Sequence, residues 1–244
     1  MKDWPYPRYV AHRGGGKLAP ENTLAAMREG YAHGYRMVEF DVKLSADGVP
    51  FLLHDDTLDR TTDGAGRADT LPWAELSKLD AGSWHSAAYA GEPLPTLSAI
   101  ARWALANGAA CNIEIKPAPG VERDTGTAVA RAARGLWRAS RLPPLLSSFA
   151  EEALVAARAA VPELPRALLV DEVPPDWQAR LARLECAALN ADWRGLDAET
   201  VAAGHRSGYR VLTYTANDPQ RVAQLAAWGV DAIITDALDV VRPA

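Results

Sequence analysis

The sequence predicts an α/β protein, a single (β/α)8 barrel with a small cap inserted after its second strand. Two features point there. Short apolar runs alternate with longer amphipathic stretches almost to the end of the chain, the pattern of βαβ units around a parallel sheet. Eight such runs fit into 244 residues, and a barrel of this kind takes roughly 250. Strand number, helix number and length together favour a closed barrel over an open doubly wound sheet.

The first strand is expected at Tyr9 to Ala11, followed by a helical pattern from Asn22 to His33 and a second strand from Met37 to Val42. Phe51-Leu52-Leu53-His54 comes next, too close behind Leu44-Ser45-Ala46-Asp47-Gly48 for a crossover helix. Asp-Gly between apolar runs signals a hairpin, so this strand should return antiparallel to the second. From there to about Pro95 the chain is rich in Gly, Thr and Asp and carries Trp73 and Trp84. Residues 44–95 therefore read as an insertion, a cap over one end of the barrel. Helical patterns at Leu97 to Asn107, Thr125 to Ala139, Glu151 to Ala160, Trp177 to Leu184, Ala198 to Ser207 and Pro219 to Trp228 then alternate with strands. Those strands are Cys111 to Ile115, Leu145 to Ser148, Arg166 to Val170, Ala187 to Asn190, Arg210 to Tyr214 and Asp231 to Thr235. Gly34, Gly108, Gly208 and Gly229 stand where helix C-termini want glycine. No internal repeat interrupts the pattern, and residues 1–244 read as one domain.

Composition narrows the partners. Twenty-six basic and 31 acidic side chains leave a formal charge of -5, which provides no basic field for nucleic acid or anionic lipid. A small molecule is the expected partner. Cys111 and Cys186 are far apart and lack metal-ligand spacing, so both are expected as buried thiols rather than a disulfide or zinc site. Met1-Lys2-Asp3-Trp4-Pro5 has no apolar leader-like run, and nowhere do ~20 apolar residues follow one another; the expected location is the cytoplasm, with no stable membrane association.

Glu39 and Asp41 lie two apart on one strand, so their carboxylates share a face. Paired acids turned into a barrel resist desolvation unless a cation or a base neutralises them. Glu114, near the C-terminal end of the following barrel strand, adds a third carboxylate. Three oxygen donors without cysteine suit a hard divalent cation, Mg2+ first, with Ca2+ or Mn2+ as alternatives. His12-Arg13-Gly14-Gly15 follows the first strand onto the same rim, where Arg13 offers a planar fork for phosphate oxygens. His54-Asp55 ends the returning hairpin strand and brings a second imidazole. Two histidines can divide general-acid and general-base work near neutral pH. Lys116 shares a face with Glu114 and either adds positive charge for a phosphoryl group or forms a salt bridge with the acids. Gly14 stands where the second histidine of an HxH zinc barrel would be, which argues against a zinc hydrolase.

Together the stretches His12-Arg13-Gly14, Pro20-Glu21-Asn22-Thr23, Glu39-Phe40-Asp41-Val42, Ser45-Ala46-Asp47-Gly48, His54-Asp55 through Leu58-Asp59-Arg60-Thr61, Asn112 to Lys116, Ser147-Ser148-Phe149, Thr213 to Asn217, and Gly229-Val230-Asp231 with Thr235-Asp236 resemble the glycerophosphodiester phosphodiesterase family. They run in family order through nearly the whole chain. Trp4 to Arg8 and Ala11 to Ala26 are most similar to its cytoplasmic bacterial branch, encoded with glycerol 3-phosphate uptake systems. This resemblance implies a TIM barrel with an inserted cap, a divalent metal on Glu39, Asp41 and Glu114, His12 and His54 as the acid/base pair, and phosphate contacts from Arg13 and Lys116. It further implies that Asn22, Phe149, Tyr214 and Asn217 line the substrate site. Tyr214 departs from the family, many relatives having Trp there. The implied reaction is hydrolysis of glycerophosphodiesters, such as glycerophosphocholine or glycerophosphoethanolamine, to glycerol 3-phosphate and an alcohol. A cyclic-phosphate route and direct attack by water both fit these residues, and the sequence has no readable code for the alcohol or for oligomeric state.

Overall fold

The computed structural model describes residues 4–243. Met1, Lys2 and Asp3, part of the N-terminal stretch read above, lie outside the described residues, as does Ala244. The strands are β1 (Tyr9–Ala11), β2 (Met37–Leu44), β3 (Pro50–Leu52), β4 (Ala110–Ile115), β5 (Leu145–Ser148), β6 (Arg166–Val170), β7 (Ala188–Asp192), β8 (Arg210–Tyr214) and β9 (Ala232–Thr235). All but β3 pair in parallel in the order β1-β9-β8-β7-β6-β5-β4-β2, and Ala11 opposite Val38 closes the ring between β1 and β2. The fold is thus the expected (β/α)8 TIM barrel. Outside the ring, β3 runs antiparallel to β2 with Val42 opposite Leu52, the hairpin that Asp47-Gly48 predicted.

The helices are α1 (Leu24–Ala32), α2 (Trp73–Leu76), α3 (Leu97–Asn107), α4 (Glu122–Leu136), α5 (Glu151–Ala160), α6 (Trp177–Leu184), α7 (Ala198–Arg206) and α8 (Pro219–Ala227). Local chemistry sets their ends. Thr23, Thr96 and Asp197 cap α1, α3 and α7 with side-chain oxygens, and α8 opens on Asp218 with Pro219 behind it. α4 starts earlier than its apolar pattern, because Glu122 and Asp124 favour the positive end of the helix. After β9 the described chain forms a turn rather than an eighth barrel helix. Leu238 and Val241 pack into the core there, and the buried Tyr35 hydroxyl donates to the Val241 carbonyl.

Alternation along the strands divides two cores. Val38, Phe40 and Val42 of β2, with Cys111, Ile113 and Ile115 of β4, face the helices. Met37, Ala110, Leu145, Ala167, Ala188, Leu212 and Ala232 fill the lower interior with Val10 and Ile234. Ala110, Ala167, Ala188 and Ala232 leave room for the larger side chains of this layer in the narrow space on which eight strands converge. Tyr6 joins this cluster, its hydroxyl donating to the Pro143 carbonyl at 2.9 Å. Both cysteines are free and buried, as expected. No helix among the described residues is long and apolar enough to cross a membrane.

Between β2 and α3 the insertion builds a satellite core from Phe51, Leu53, Leu58, Ala68, Leu76, Ala81 and Leu94. It also grips the loop between β1 and α1 and the first turn of α1. Glu92 accepts from the Ala25 N–H (2.9 Å), His85 Nε2 contacts the Lys17 carbonyl (3.1 Å), and the Tyr89 hydroxyl donates to the Leu18 carbonyl (3.4 Å). Within that loop Gly16 has φ 56, and a methyl group there would overlap the Asp236 backbone. Gly48 also has positive φ, but the space beside it is open.

The two glycines separate strain from collision. Gly48→Ala should cost about 1–2 kcal/mol, the penalty of a left-handed alanine, whereas Gly16→Ala adds steric overlap and should cost distinctly more. Urea unfolding of both variants measures this; equal losses would show that the loop is not pressed against Asp236.

Candidate active site

The strand ends that the barrel closure brings together surround a cavity of about 530 Å3, lined by His12, Arg13, Glu39, Asp41, His54, Asn112, Glu114, Lys116, Ser147, Phe149 and Tyr214, with further wall from Leu169, Asp171, Asn190, Thr215 and Ile234. The parallel register sets Glu39 beside Asn112 and Asp41 beside Glu114, so the three acids point into the barrel together. Each offers one carboxylate oxygen, and these oxygens lie within 4.8 Å of one another.

Much of the surrounding polar structure serves these acids. The Arg13 N–H donates to Glu39 Oε2 at 3.0 Å. Asn22 grips Asp41 twice, Nδ2 donating to Oδ2 (2.8 Å) and Oδ1 accepting from the Asp41 N–H (3.0 Å). Lys116 Nζ donates to Glu114 Oε1 at 3.0 Å and stands 3.6 Å from Asp41 Oδ1. Both Arg13 and Asn22 have positive φ, 48° and 59°, a strained conformation for residues with a β-carbon. In this conformation Arg13 lies over the acids, its Nε 3.6 Å from Asp41 Oδ2.

Burial, and then the charge of Asp41, push Glu39 up to about 7 and Glu114 up to about 8. Burial opposes ionisation of Asp41 as well, but Lys116 and Arg13 outweigh it and hold this carboxyl low. One acid is fully ionised while its two neighbours resist it. A buried, oxygen-only cluster with an unmet demand for positive charge is the donor set of a hard divalent cation, and it fits one.

Each histidine has its own carboxylate. His12 Nδ1 donates to Asp236 Oδ1 and His54 Nδ1 donates to Asp55 Oδ1, both at 2.6 Å, which leaves Nε2 as the free nitrogen of each ring. Asp236 is oriented in turn by Asn217, whose Oδ1 accepts from the Asp236 N–H (2.8 Å) and from Thr235 Oγ1 (3.1 Å). The two fields differ. Burial disfavours the His12 cation, but the Asp236 hydrogen bond and the charge of Glu39 override it, and its pKa is raised. For His54 burial prevails, with Arg13 and Lys116 acting the same way against the pull of Asp41, and its pKa is lowered.

Most of the residues picked out from the sequence meet in this cavity. Phe149 and Tyr214 form an edge-to-face pair on its wall, ring centroids 5.9 Å apart. Asn22 and Asn217 do not line it; Asn22 is spent on Asp41 and Asn217 on Asp236, so both stand behind the site. Lys116 keeps both of its readings, paired with Glu114 and facing the cavity. Asp236, Asp55 and Glu21 received no role from the sequence alone. Asp236 had a signal, since it ends the strand that closes on β1.

The chain matches the model of the glycerophosphoryl diester phosphodiesterase family over residues 12–240. It is 32% identical over 232 residues to a glycerophosphodiester phosphodiesterase of Caldanaerobacter subterraneus subsp. tengcongensis, covering 93% of each chain. Among solved structures, it superposes with TM-score 0.89 and 40% identity on an Oleispira antarctica phosphodiesterase in complex with the product sn-glycerol-3-phosphate, covering 95% of this chain and 94% of that one. A glycerophosphodiester phosphodiesterase of Agrobacterium tumefaciens gives TM-score 0.78 at 28% identity over 96% of this chain and 97% of that one.

The raised acids link stability to pH. Where Glu39 and Glu114 titrate above the usual carboxylate range, the folded protein binds more protons than the unfolded one, so stability falls as pH rises. Cation-free protein should lose thermal stability between about pH 5 and pH 8. Mg2+ at ~100 times Kd should restore about 2.7 kcal/mol, and its binding near pH 7 should release protons. Thermal melts, and calorimetry in buffers of different ionisation enthalpy, measure both; a flat profile without proton release would contradict the charge balance.

Proposed function

The chain belongs to the glycerophosphoryl diester phosphodiesterase family and is an enzyme, a phosphoric diester hydrolase; from there we propose that it cleaves glycerophosphodiesters such as glycerophosphocholine and glycerophosphoethanolamine to glycerol 3-phosphate and an alcohol, with His12 and His54 as its acid/base pair. The observation that carries this reading is the pair of carboxylate-fixed imidazoles facing one cavity with three acids between the same walls. The product held by the Oleispira antarctica relative supports the glycerol phosphate half. The whole chain acts as one catalytic domain. Its cytoplasmic setting rests on the resemblance of Trp4 to Arg8 and Ala11 to Ala26 to that branch.

Glu39, Asp41 and Glu114 would hold the divalent cation, Mg2+ by its preference for oxygen donors, and when bound it supplies Lewis-acid neutralisation of phosphoryl charge. Arg13 and Lys116 offer the phosphate their remaining N–H groups. Phe149 and Tyr214 give the glycerol carbons an apolar wall.

His54, the histidine with lowered pKa, is neutral and takes the proton of the glycerol 2-hydroxyl. The hydroxyl oxygen attacks phosphorus while the bond to the alcohol oxygen breaks. His12, the histidine with raised pKa, supplies the proton that the departing alkoxide needs. A cyclic 1,2-phosphate and the free alcohol result. In the second half His12 deprotonates water, the water oxygen bonds to phosphorus, and His54 returns its proton to the glycerol 2-oxygen as the ring opens. Having the nucleophile on the substrate beside phosphorus makes the first step intramolecular.

Purified protein given glycerophosphocholine should release glycerol 3-phosphate with Mg2+, stop in EDTA, and resume when cation is restored. His12→Ala and His54→Ala should each lose at least ~10²-fold in kcat, while Glu39→Ala should regain part of its loss at higher cation concentration. Rapid quench should trap the cyclic phosphate; single-step incorporation of solvent 18O without it would favour direct attack by water. kcat/KM should describe a bell, falling at low pH as His54 protonates and at high pH as His12 loses its proton. Normal turnover in either histidine variant would remove the acid/base assignment.

A further inference from the structure

Arg60 lies in the insertion and is 45% exposed at its side chain, a setting in which a single ion pair contributes little. Its hydrogen bonds are of another kind. Nε donates to Asp55 Oδ2 (2.6 Å) and Nη2 to Asp55 Oδ1 (3.0 Å). Nη1 donates to Glu21 Oε2 (2.8 Å) and Nη2 also to Glu21 Oε1 (2.8 Å). One guanidinium therefore grips both oxygens of two carboxylates carried by two different elements, the geometry in which arginine fixes an acid's plane as well as its place.

Each of those carboxylates holds a residue of the active site. Asp55 Oδ1 accepts from His54 Nδ1, and Glu21 Oε1 accepts from Arg13 Nη1 at 2.7 Å. Among the described residues that is the one hydrogen bond of the Arg13 side chain, whose Nε is buried without one, 3.6 Å from Asp41 Oδ2. Arg13 is also held in a left-handed backbone conformation, so it depends on a partner to keep its fork over the acids. Behind each of the two cavity residues stands an acid, and behind both acids stands Arg60.

We propose that Arg60 is a positioning residue for the hydrolysis, one that fixes His54 through Asp55 and Arg13 through Glu21 and so couples the insertion to acid/base chemistry and phosphate binding at once. The proposal rests on the roles given above to His54 and Arg13. It explains why the insertion is tied down beside the site: His85 and Tyr89 clamp the same β1–α1 loop at Lys17 and Leu18, Glu92 holds the first turn of α1 at Ala25, and Arg60 adds the contact that reaches the reacting groups. Without the guanidinium, Asp55 can rotate and present either oxygen to His54, and Glu21 loses the donors that hold it against Arg13.

The test compares wild type with Arg60→Ala, Arg60→Lys and Glu21→Gln in the full chain with Mg2+. Arg60→Ala should lower kcat by ~10- to 100-fold, by analogy with loss of the partner behind a metal-ligating side chain, and raise KM as well, because both arms are loosened. Glu21→Gln, which loosens only the Arg13 arm, should raise KM with a smaller fall in kcat. Guanidinium ion added at millimolar concentration should restore part of the Arg60→Ala loss, whereas Arg60→Lys, with one point charge and no fork, should recover less. Calorimetric binding of inorganic phosphate should weaken in Arg60→Ala, a readout that needs no turnover. Unchanged kcat, KM and phosphate affinity in Arg60→Ala would overturn the proposal. So would a loss that guanidinium does not relieve and that scales with a lowered melting temperature, which would make Arg60 ordinary fold support. If wild type turns over no glycerophosphodiester while phosphate affinity still falls in Arg60→Ala, the proposed reaction fails and the positioning of Arg13 stands.

Discussion

The arrangement rests on the burial of three carboxylates at one end of a barrel. Glu39, Asp41 and Glu114 are placed there by residues with no chemistry of their own. Val38, Phe40 and Val42 on β2, and Ile113 and Ile115 on β4, bury the outer faces of the strands against the helices. A one-residue slip would turn those apolar side chains inward and the acids outward, so the register is held by hydrophobic burial rather than by the site. The unfavourable electrostatics of the cluster are then balanced locally by the Arg13 N–H, Asn22 and Lys116. This balance is incomplete, as the raised Glu39 and Glu114 show, and that residual demand for positive charge fits the cluster to a divalent cation better than to a closed set of structural ion pairs.

The same field distinguishes two histidines that are locally alike. His12 and His54 each donate Nδ1 to an aspartate at the same distance. His12 faces Glu39 as well, 3.9 Å from its Nε2, and so feels a second negative charge. His54 feels the charge of Asp41 too, but its burial, joined by Arg13 and Lys116, outweighs that pull. Opposite directions of shift thus come from position around the acid cluster, and that asymmetry is the condition for one residue to give a proton while the other takes one.

How much of this was legible in the sequence follows from the range of each interaction. Periodicity located the eight barrel strands to within a residue or two, since burial on both faces and the turn chemistry between strands are local properties. Glu39 and Asp41 could be paired from spacing alone, because residues two apart on a strand share a face. Asn22 and Asn217 could not be placed from spacing, since whether an amide lines a cavity or braces an acid depends on partners 19 residues away in each case. Asp236 meets His12 across 224 residues of sequence, and only closure of β9 onto β1 puts it there. Apolar spacing starts α4 at Thr125 and not at Glu122, because Glu122 and Asp124 complement the positive end of the helix and add nothing to its apolar face.

The insertion was legible as an insertion but not as a brace. A long Gly- and Asp-rich segment over a barrel mouth suggests a closing lid, and lids are drawn from regions of low local stability with hinges at their ends. This segment has its own apolar core, enters through a paired hairpin, and returns with Leu52 donating to the Pro95 carbonyl at 3.0 Å. Its hydrogen bonds to the β1–α1 loop and the first turn of α1 fall on backbone groups of Lys17, Leu18 and Ala25 and on the side chain of Glu21. Fixed donors and dipoles stabilise developing charge well because they need not reorganise when the reaction occurs. A segment tied to β2 through its hairpin and to the β1–α1 loop supplies that rigidity, and His54, which it carries, is set beside Arg13 through Arg60, which holds both Asp55 and Glu21.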